Sequence, residues 1–237
     1  MKLLGVLRTI RKFADMQADE YPITADGSHT LFSEIHGAYY HSLNGALTES
    51  QHIFINSGFK HLSDKLKQIS ILEVGLGTGL NAVLTANESL LSGVETFYTA
   101  IELYPITEQQ IKDLNYSKIL NPEVAECWSR IMLTEWNSSV EINQSFRICK
   151  VNEDFTKWIP TKSFNLIYFD AFAPDDQPEM WSVEMFQKLY DSLSSGGILV
   201  TYSSKGIVKQ ALRAAGFKVG RLAGPPGKRH ILRAVKE

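Results

Sequence analysis

Cysteine is scarce in this chain of 237 residues: Cys127 and Cys149 are the only two. Their separation is no metal-ligand spacing, and no disulfide framework is expected, so a reduced, cytoplasmic setting fits. Long apolar runs are missing as well. The opening MKLLGVLRTIRKFADM is broken by Arg8, and no stretch approaches the ~18 residues of a membrane span, so neither a targeting segment nor a span is expected. There is no excess of charge of one sign. A formal charge of −2 excludes a uniformly basic nucleic-acid binder but leaves room for a local basic face. With 44% hydrophobic and 21% charged residues, the composition is that of one globular unit with a sizeable core.

Residues 1–68 read as an irregular N-terminal extension, and 69–237 as the regular domain it packs against. ILEV (71–74), TFYTAIE (96–102), RICKV (147–151), FNLIYF (164–169) and ILVTY (198–202) read as strands. Two more strands lie near 217–222 and 230–235. Leu80, Val83, Leu84, Leu90 and Leu91 recur at helical spacing, and a helix is expected from about Thr107. Met185, Phe186, Leu189, Tyr190 and Leu193 mark another helix, stopping before Gly196-Gly197. Ile207, Val208, Ala211, Leu212 and Ala215 mark a further one, closed by Gly216. Strands alternating with helices predict an α/β fold with a mostly parallel seven-stranded sheet covered on both faces. The last two strands have no helix between them and predict an antiparallel hairpin.

EVGLGTG (73–79) joins a strand to a helix, where an open sheet of this kind binds nucleotides. Glycine permits a tight turn and a close ligand approach. A dinucleotide fingerprint would need glycine at 80, which is Leu80. The observed pattern, with Gly75, Gly77 and Gly79 after Glu73, resembles the S-adenosylmethionine loop of class I methyltransferases, as does the closing hairpin. That resemblance implies that Glu73 faces the cationic methionine end. Glu102 ends the second strand, where a carboxylate can accept two ribose hydroxyls; a solvated strand-end acid is the plainer alternative. Asp154, after the third strand, could accept an adenine amino proton beside Phe155, with Asn152 and Glu153 competing for that place.

FDAFAPDDQPEMW (169–181) ends a buried-looking strand on Asp170. An acid there can orient an amine and take its proton, and alignment supplies much of the acceleration in an in-line displacement. The alternative is a turn or capping acid. Phe172 and Pro174 would wall the site, and a flat ring could stack on a base. Trp181 is another stacking candidate, although a Trp at a helix start more often packs in the core.

DAFAPDDQPEMW is similar to a segment of the methyltransferase half of the bifunctional MnmC tRNA-modification enzymes and of the stand-alone MnmD proteins. HGAYYHSLNGALTESQHIFINSG (36–58), EVGLGTGLN and PPGKRHIL (225–232) resemble further parts of that family. Gln177 and His230 depart from residues common in it. The resemblance implies a Rossmann-like S-adenosyl-L-methionine-dependent enzyme that methylates 5-aminomethyl-2-thiouridine at the tRNA wobble position. It also implies that Tyr39 and Glu49 help close the cofactor pocket. The flavin oxidase half lies outside the sequence, so separate enzymes are expected to make the aminomethyl precursor.

Nine Lys or Arg and one acid lie between Lys205 and Glu237. Such segregation can make a phosphate-binding face, with Lys228 and Arg229 on a loop at the site mouth; a solvated basic terminus is the bland alternative. His29, His36, His41 and His52 follow no standard zinc spacing, and no metal is expected. Two rivals remain in the sequence: an aminopropyltransferase of the spermidine-synthase type, and a non-catalytic cofactor-binding module.

Overall fold

The computed structural model describes residues 21–237; the opening segment read for targeting lies outside the described residues. A small antiparallel pair, β1 (Phe32–Ser33) and β2 (Ala38–Tyr39), comes first. A continuous helical rod follows: α1 (Ala46–Ser50), a π-helical stretch Gln51–Phe59, and α2 (Lys60–Ser63). The remainder alternates: β3 (Gln68–Val74), α3 (Leu80–Ser92), β4 (Glu95–Ile101), α4 (Glu108–Asp113), α5 (Tyr116–Ile119), α6 (Pro122–Leu133), β5 (Ser139–Asn143) and β6 (Phe146–Val151). Then come β7 (Phe164–Phe169), α7 (Val183–Ser192), β8 (Leu193–Thr201), α8 (Gly206–Ala214), β9 (Lys218–Ala223) and β10 (His230–Val235).

The main sheet has eight strands in the order β5-β6-β4-β3-β7-β8-β10-β9. The central five, β6 to β8, are parallel, and β10 joins β8 and β9 antiparallel. The expected α/β architecture and closing hairpin are thus present, with one strand more than the seven expected. The extra strand, β5, pairs antiparallel on the outside of β6. Its polar sequence SVEIN suits an edge and gives little apolar signal.

Side chains alternate across the strands, so β3 sends Ile69 and Ile71 to one face and Leu72 and Val74 to the other. One face packs against the N-terminal rod, α3 and α6. The other packs against α7 and α8. Each large apolar side chain fully buried here contributes about 2 kcal/mol.

The segment read as irregular is the main departure. Ile53, Phe54, Phe59 and Leu62 are buried against the same core as the sheet, and Ile55 is buried too. A π-helix has more residues per turn than an α-helix, so its buried positions miss the 3.6-residue pattern by which helices are read. Gly58 allows the close approach: a Cβ there would stand 3.0 Å from Tyr168 and 3.1 Å from Val200. The helix α7 stops before Gly196-Gly197 as expected, at Ser192, but Leu193 already belongs to β8. Gly196 and Gly197 lie within β8, beside its register shift against β7.

Candidate active site

The C-terminal ends of β3, β4 and β7 meet the first hairpin and the start of the N-terminal rod around a cavity of about 250 Å³. Its lining includes Gly75, Gly77, Glu102, Asp154, Asp170, Phe172, Tyr39, Glu49 and Lys228. The structure therefore brings together most residues singled out in the sequence. Four stand elsewhere. Glu73, Gly79, Pro174 and Arg229 are not among the lining residues.

Glu73 points to the α3 face of β3 and is fully buried. Its Oε1 accepts a hydrogen bond from Asn81 Nδ2 at 3.0 Å. Burial pushes its pKa well above the ordinary carboxylate value, and the Asn81 hydrogen bond opposes the shift. Gly79 caps α3 at φ +77°, and a Cβ there would strike the Met132 sulfur. It serves the approach of α6, whose Trp128 Nε1 donates to Thr78 O at 2.9 Å. Pro174 is buried within the loop after β7. Arg229 is exposed, and its carbonyl accepts Gly224 N–H at 3.2 Å to close the 224–229 loop.

Gly75 and Gly77 form a cradle. At Gly75, φ is +91° and a Cβ would lie 2.7 Å from the Asp170 carbonyl oxygen. At Gly77, φ is +50° and a Cβ would lie 3.0 Å from the Tyr40 ring. The neighbouring Glu102 carboxylate is fixed by backbone: Oε2 accepts Gly77 N–H at 3.1 Å, and Oε1 accepts Tyr104 N–H at 2.9 Å. Burial raises its pKa, and these backbone donors oppose the shift. Asp154 sits on the rim, but its Oδ1 accepts from Thr156 N at 2.9 Å and Thr156 Oγ1 at 2.6 Å, while Oδ2 pairs with Lys157 at 3.2 Å. The Thr156 hydroxyl bond heads the causes that lower its pKa. Asn152, the competitor, instead ties down Glu102 O and Leu103 O.

Asp170 begins the loop after β7, and its N–H donates to Val74 O at 3.0 Å. Oδ2 accepts Asn81 Nδ2 at 2.8 Å. The same amide nitrogen thus bridges Asp170 and Glu73. Among the described residues, no hydrogen bond reaches Oδ1. Burial, then the charge of Glu49, pushes the Asp170 pKa up to about 7; Asn81 and Lys228 oppose the rise. A carboxylate so poised can exchange a proton near neutrality.

An aromatic shelf adjoins it. His36, at the tip of the first hairpin, stacks on Phe172 with centroids 4.3 Å apart, and Tyr40 meets Phe172 edge-on at 5.1 Å. Trp181 is buried and donates its indole N–H to Phe172 O at 2.8 Å, so it supports the shelf from the core. Asn81, Tyr40 and Tyr202 were not singled out from the sequence, and His36 was weighed there only as a metal ligand. Asn81 stands directly after the glycine turn, and Tyr202 follows the strand next to β7, so both extend the pattern already read there.

Residues 119–237 match a family described as S-adenosyl-L-methionine-dependent methyltransferase. The chain belongs to that family. Its cofactor, S-adenosyl-L-methionine, fits a cavity lined by the side-chain-free Gly75 and Gly77 and by the Glu102 carboxylate. The chain is similar to the tRNA 5-methylaminomethyl-2-thiouridine biosynthesis bifunctional protein MnmC of Nitrosospira multiformis, 29% identical over 85% of this chain and 34% of that one. It is likewise 28% identical to the protein of that name from Idiomarina loihiensis, over 86% of this chain and 36% of the other. It spans about a third of the length of these curated relatives. Among solved structures it resembles MNMC2 from Aquifex aeolicus, with a TM-score of 0.76, 22% identity, and coverage of 99% of this chain and 76% of that one. Spermidine synthase from Thermotoga maritima shares the fold more distantly, at TM-score 0.51 and 13% identity over 93% of this chain and 70% of that one. No helix among the described residues is long and apolar enough to cross a membrane.

Proposed function

We propose that the chain methylates the amine of 5-aminomethyl-(2-thio)uridine at the tRNA wobble position. The observation that carries this reading is Asp170: a carboxylate with a pKa near neutrality, beside the glycine cradle on one side and the Phe172 shelf on the other. The named activity of the MnmC relatives supplies the substrate. Bound in the cradle, S-adenosyl-L-methionine supplies an electrophilic methyl carbon. Gly75 and Gly77 would admit it, and Glu102 would accept its ribose hydroxyls. Tyr39 closes that side, and Asp154 stays at the rim. Asp170 would receive the amine proton and aim the nitrogen lone pair, an alignment that supplies much of the rate. Phe172, backed by His36 and Tyr40, would stack the extruded base, since sequence-specific RNA readers stack unpaired bases on aromatic rings.

The N-terminal segment up to residue 68 acts in this reading as part of the catalytic unit, because Tyr39, Tyr40 and Glu49 line the cavity. The basic C-terminal segment from Lys205 offers phosphate contacts, with the exposed Arg229 a better candidate than Lys228. The aminomethyl group arrives already on the tRNA, made by other enzymes, and the work takes place in the cytoplasm. No feature of the site favours aminopropyl transfer. Radiolabelled cofactor should be incubated with unmodified transcript, with tRNA carrying the aminomethyl group, and with putrescine. Label is expected only in the aminomethylated tRNA; label in putrescine, or none in that tRNA, contradicts the proposal.

A further inference from the structure

Lys228 is the only Lys or Arg among the described residues that line the cavity. The loop that carries it is tightly closed, by Lys228 N–H to Pro225 O at 2.9 Å and Gly224 N–H to Arg229 O at 3.2 Å. Gly227, at φ +83°, lets this loop press on Asn44, whose side chain any Cβ would strike. Of the adjacent basic pair, Arg229 is left in solvent while the Lys228 side chain turns inward, 27% exposed.

Inside, the Lys228 ammonium meets two groups suited to a cation, and its charge is felt by a third. Glu49 Oε1 lies 3.1 Å away, on a side chain 13% exposed. The Tyr202 ring centroid lies 4.9 Å away, within cation–π range. Asp170 feels the charges of both Lys228 and Glu49. The cage is rigid. Glu49 Oε2 accepts Ser42 N–H at 3.3 Å. Tyr202 is fixed by its hydroxyl on Ala171 O at 2.8 Å and by the edge of Trp181 at 5.9 Å.

An alkylammonium in a ring-and-carboxylate cage is the same chemical group as a protonated aminomethyl substituent. We propose that the Tyr202 face and the carboxylates of Glu49 and Asp170 form the subsite for the substrate's ammonium group, and that Lys228 holds this subsite until the substrate displaces it. The inference rests on the amine-substrate reading above, and it moves Glu49 from the cofactor to the substrate side. It also explains why a loop basic enough to attract phosphate turns one of its two cations away from solvent. An entering ammonium would be delivered beside Asp170, the group able to take its proton.

The test compares the affinity of the full chain for tRNA bearing the aminomethyl group with its affinity for the same tRNA lacking it, for wild type and variants, as salt is varied. Lys228→Met is expected to raise the preference for the aminomethylated tRNA about fivefold or more, because the internal competitor is gone. Glu49→Gln and Tyr202→Leu should each reduce it about tenfold, whereas Tyr202→Phe keeps the ring face and stays within about twofold. Lys228→Met weakening both tRNAs alike, with the salt slope reduced by about one, would identify a phosphate contact and overturn the subsite. An unchanged preference in every variant would overturn it too. Wild type that prefers the aminomethylated tRNA without methylating it would sink the methyl-transfer reading and leave the subsite standing. Methylation by wild type, combined with the phosphate-contact result, would do the reverse.

Discussion

Glu102 and Asp170 stand at equivalent places, each at the end of a parallel strand and each lining the same cavity, yet their surroundings differ in kind. Glu102 is held at both oxygens by backbone N–H groups, which favour its charged form and fix its position. Asp170 is held at one oxygen by a side-chain amide, faces the like charge of Glu49, and titrates near neutrality. Burial pushes both carboxyls up; backbone donors oppose the shift at Glu102, whereas at Asp170 the like charge of Glu49 adds to it. Position in the fold brings a carboxylate to the site, and its hydrogen bonds decide what it does there.

The contrast breaks most sharply under substitution. Asp170→Asn, which can still accept from Asn81, should lower methyl transfer to aminomethylated tRNA about a thousandfold while cofactor affinity, measured by calorimetry, stays within about twofold. Glu102→Gln should show the opposite split, weakening cofactor binding about tenfold to a hundredfold with a smaller effect on turnover at saturation. Equal losses of both quantities in both variants would erase the distinction.

Acidity sharpens it further. In a pH series of kcat/KM, activity should fall about tenfold per unit once pH drops below about 7, where Asp170 becomes protonated. Stability should move the other way. The folded Asp170 keeps its proton up to about pH 7, whereas the unfolded chain releases it near 3.8. The native state therefore binds the extra proton between those values, and stability declines as pH rises through that window. Denaturant titrations of Asp170→Asn should show this decline reduced by about 4 kcal/mol. The smallest effect belongs to the shelf: His36→Ala should raise KM for tRNA about threefold without changing kcat, because it removes one ring-stacking neighbour of Phe172.

Strand ends were the most legible part of the sequence. Glu102, Asp154 and Asp170 follow apolar runs and do reach the cavity, and Gly75 and Gly77 mark a turn that only small residues can make. Roles decided by distance were not legible. Glu73 and Gly79 fit the same motif, but β-strand alternation sends Glu73 behind the wall, and Gly79 gives way to a helix 50 residues downstream in sequence, marked by the Trp128–Thr78 contact. The N-terminal rod escaped because its π-helical stretch buries Phe54 and Phe59 at a spacing that α-helical periodicity does not register. Lys228 and Arg229 are indistinguishable as neighbours in a basic loop; only the fold turns one inward and the other out.

The difference between the two acids can be read without any substrate. Carbon-13 NMR titration of the aspartate carboxyls, with Asp170→Asn assigning the signal, should give Asp170 a midpoint near 7 in the free protein. A midpoint at or below 4, the range of an ordinary solvated aspartate, would contradict its role as the acid that exchanges the substrate's proton.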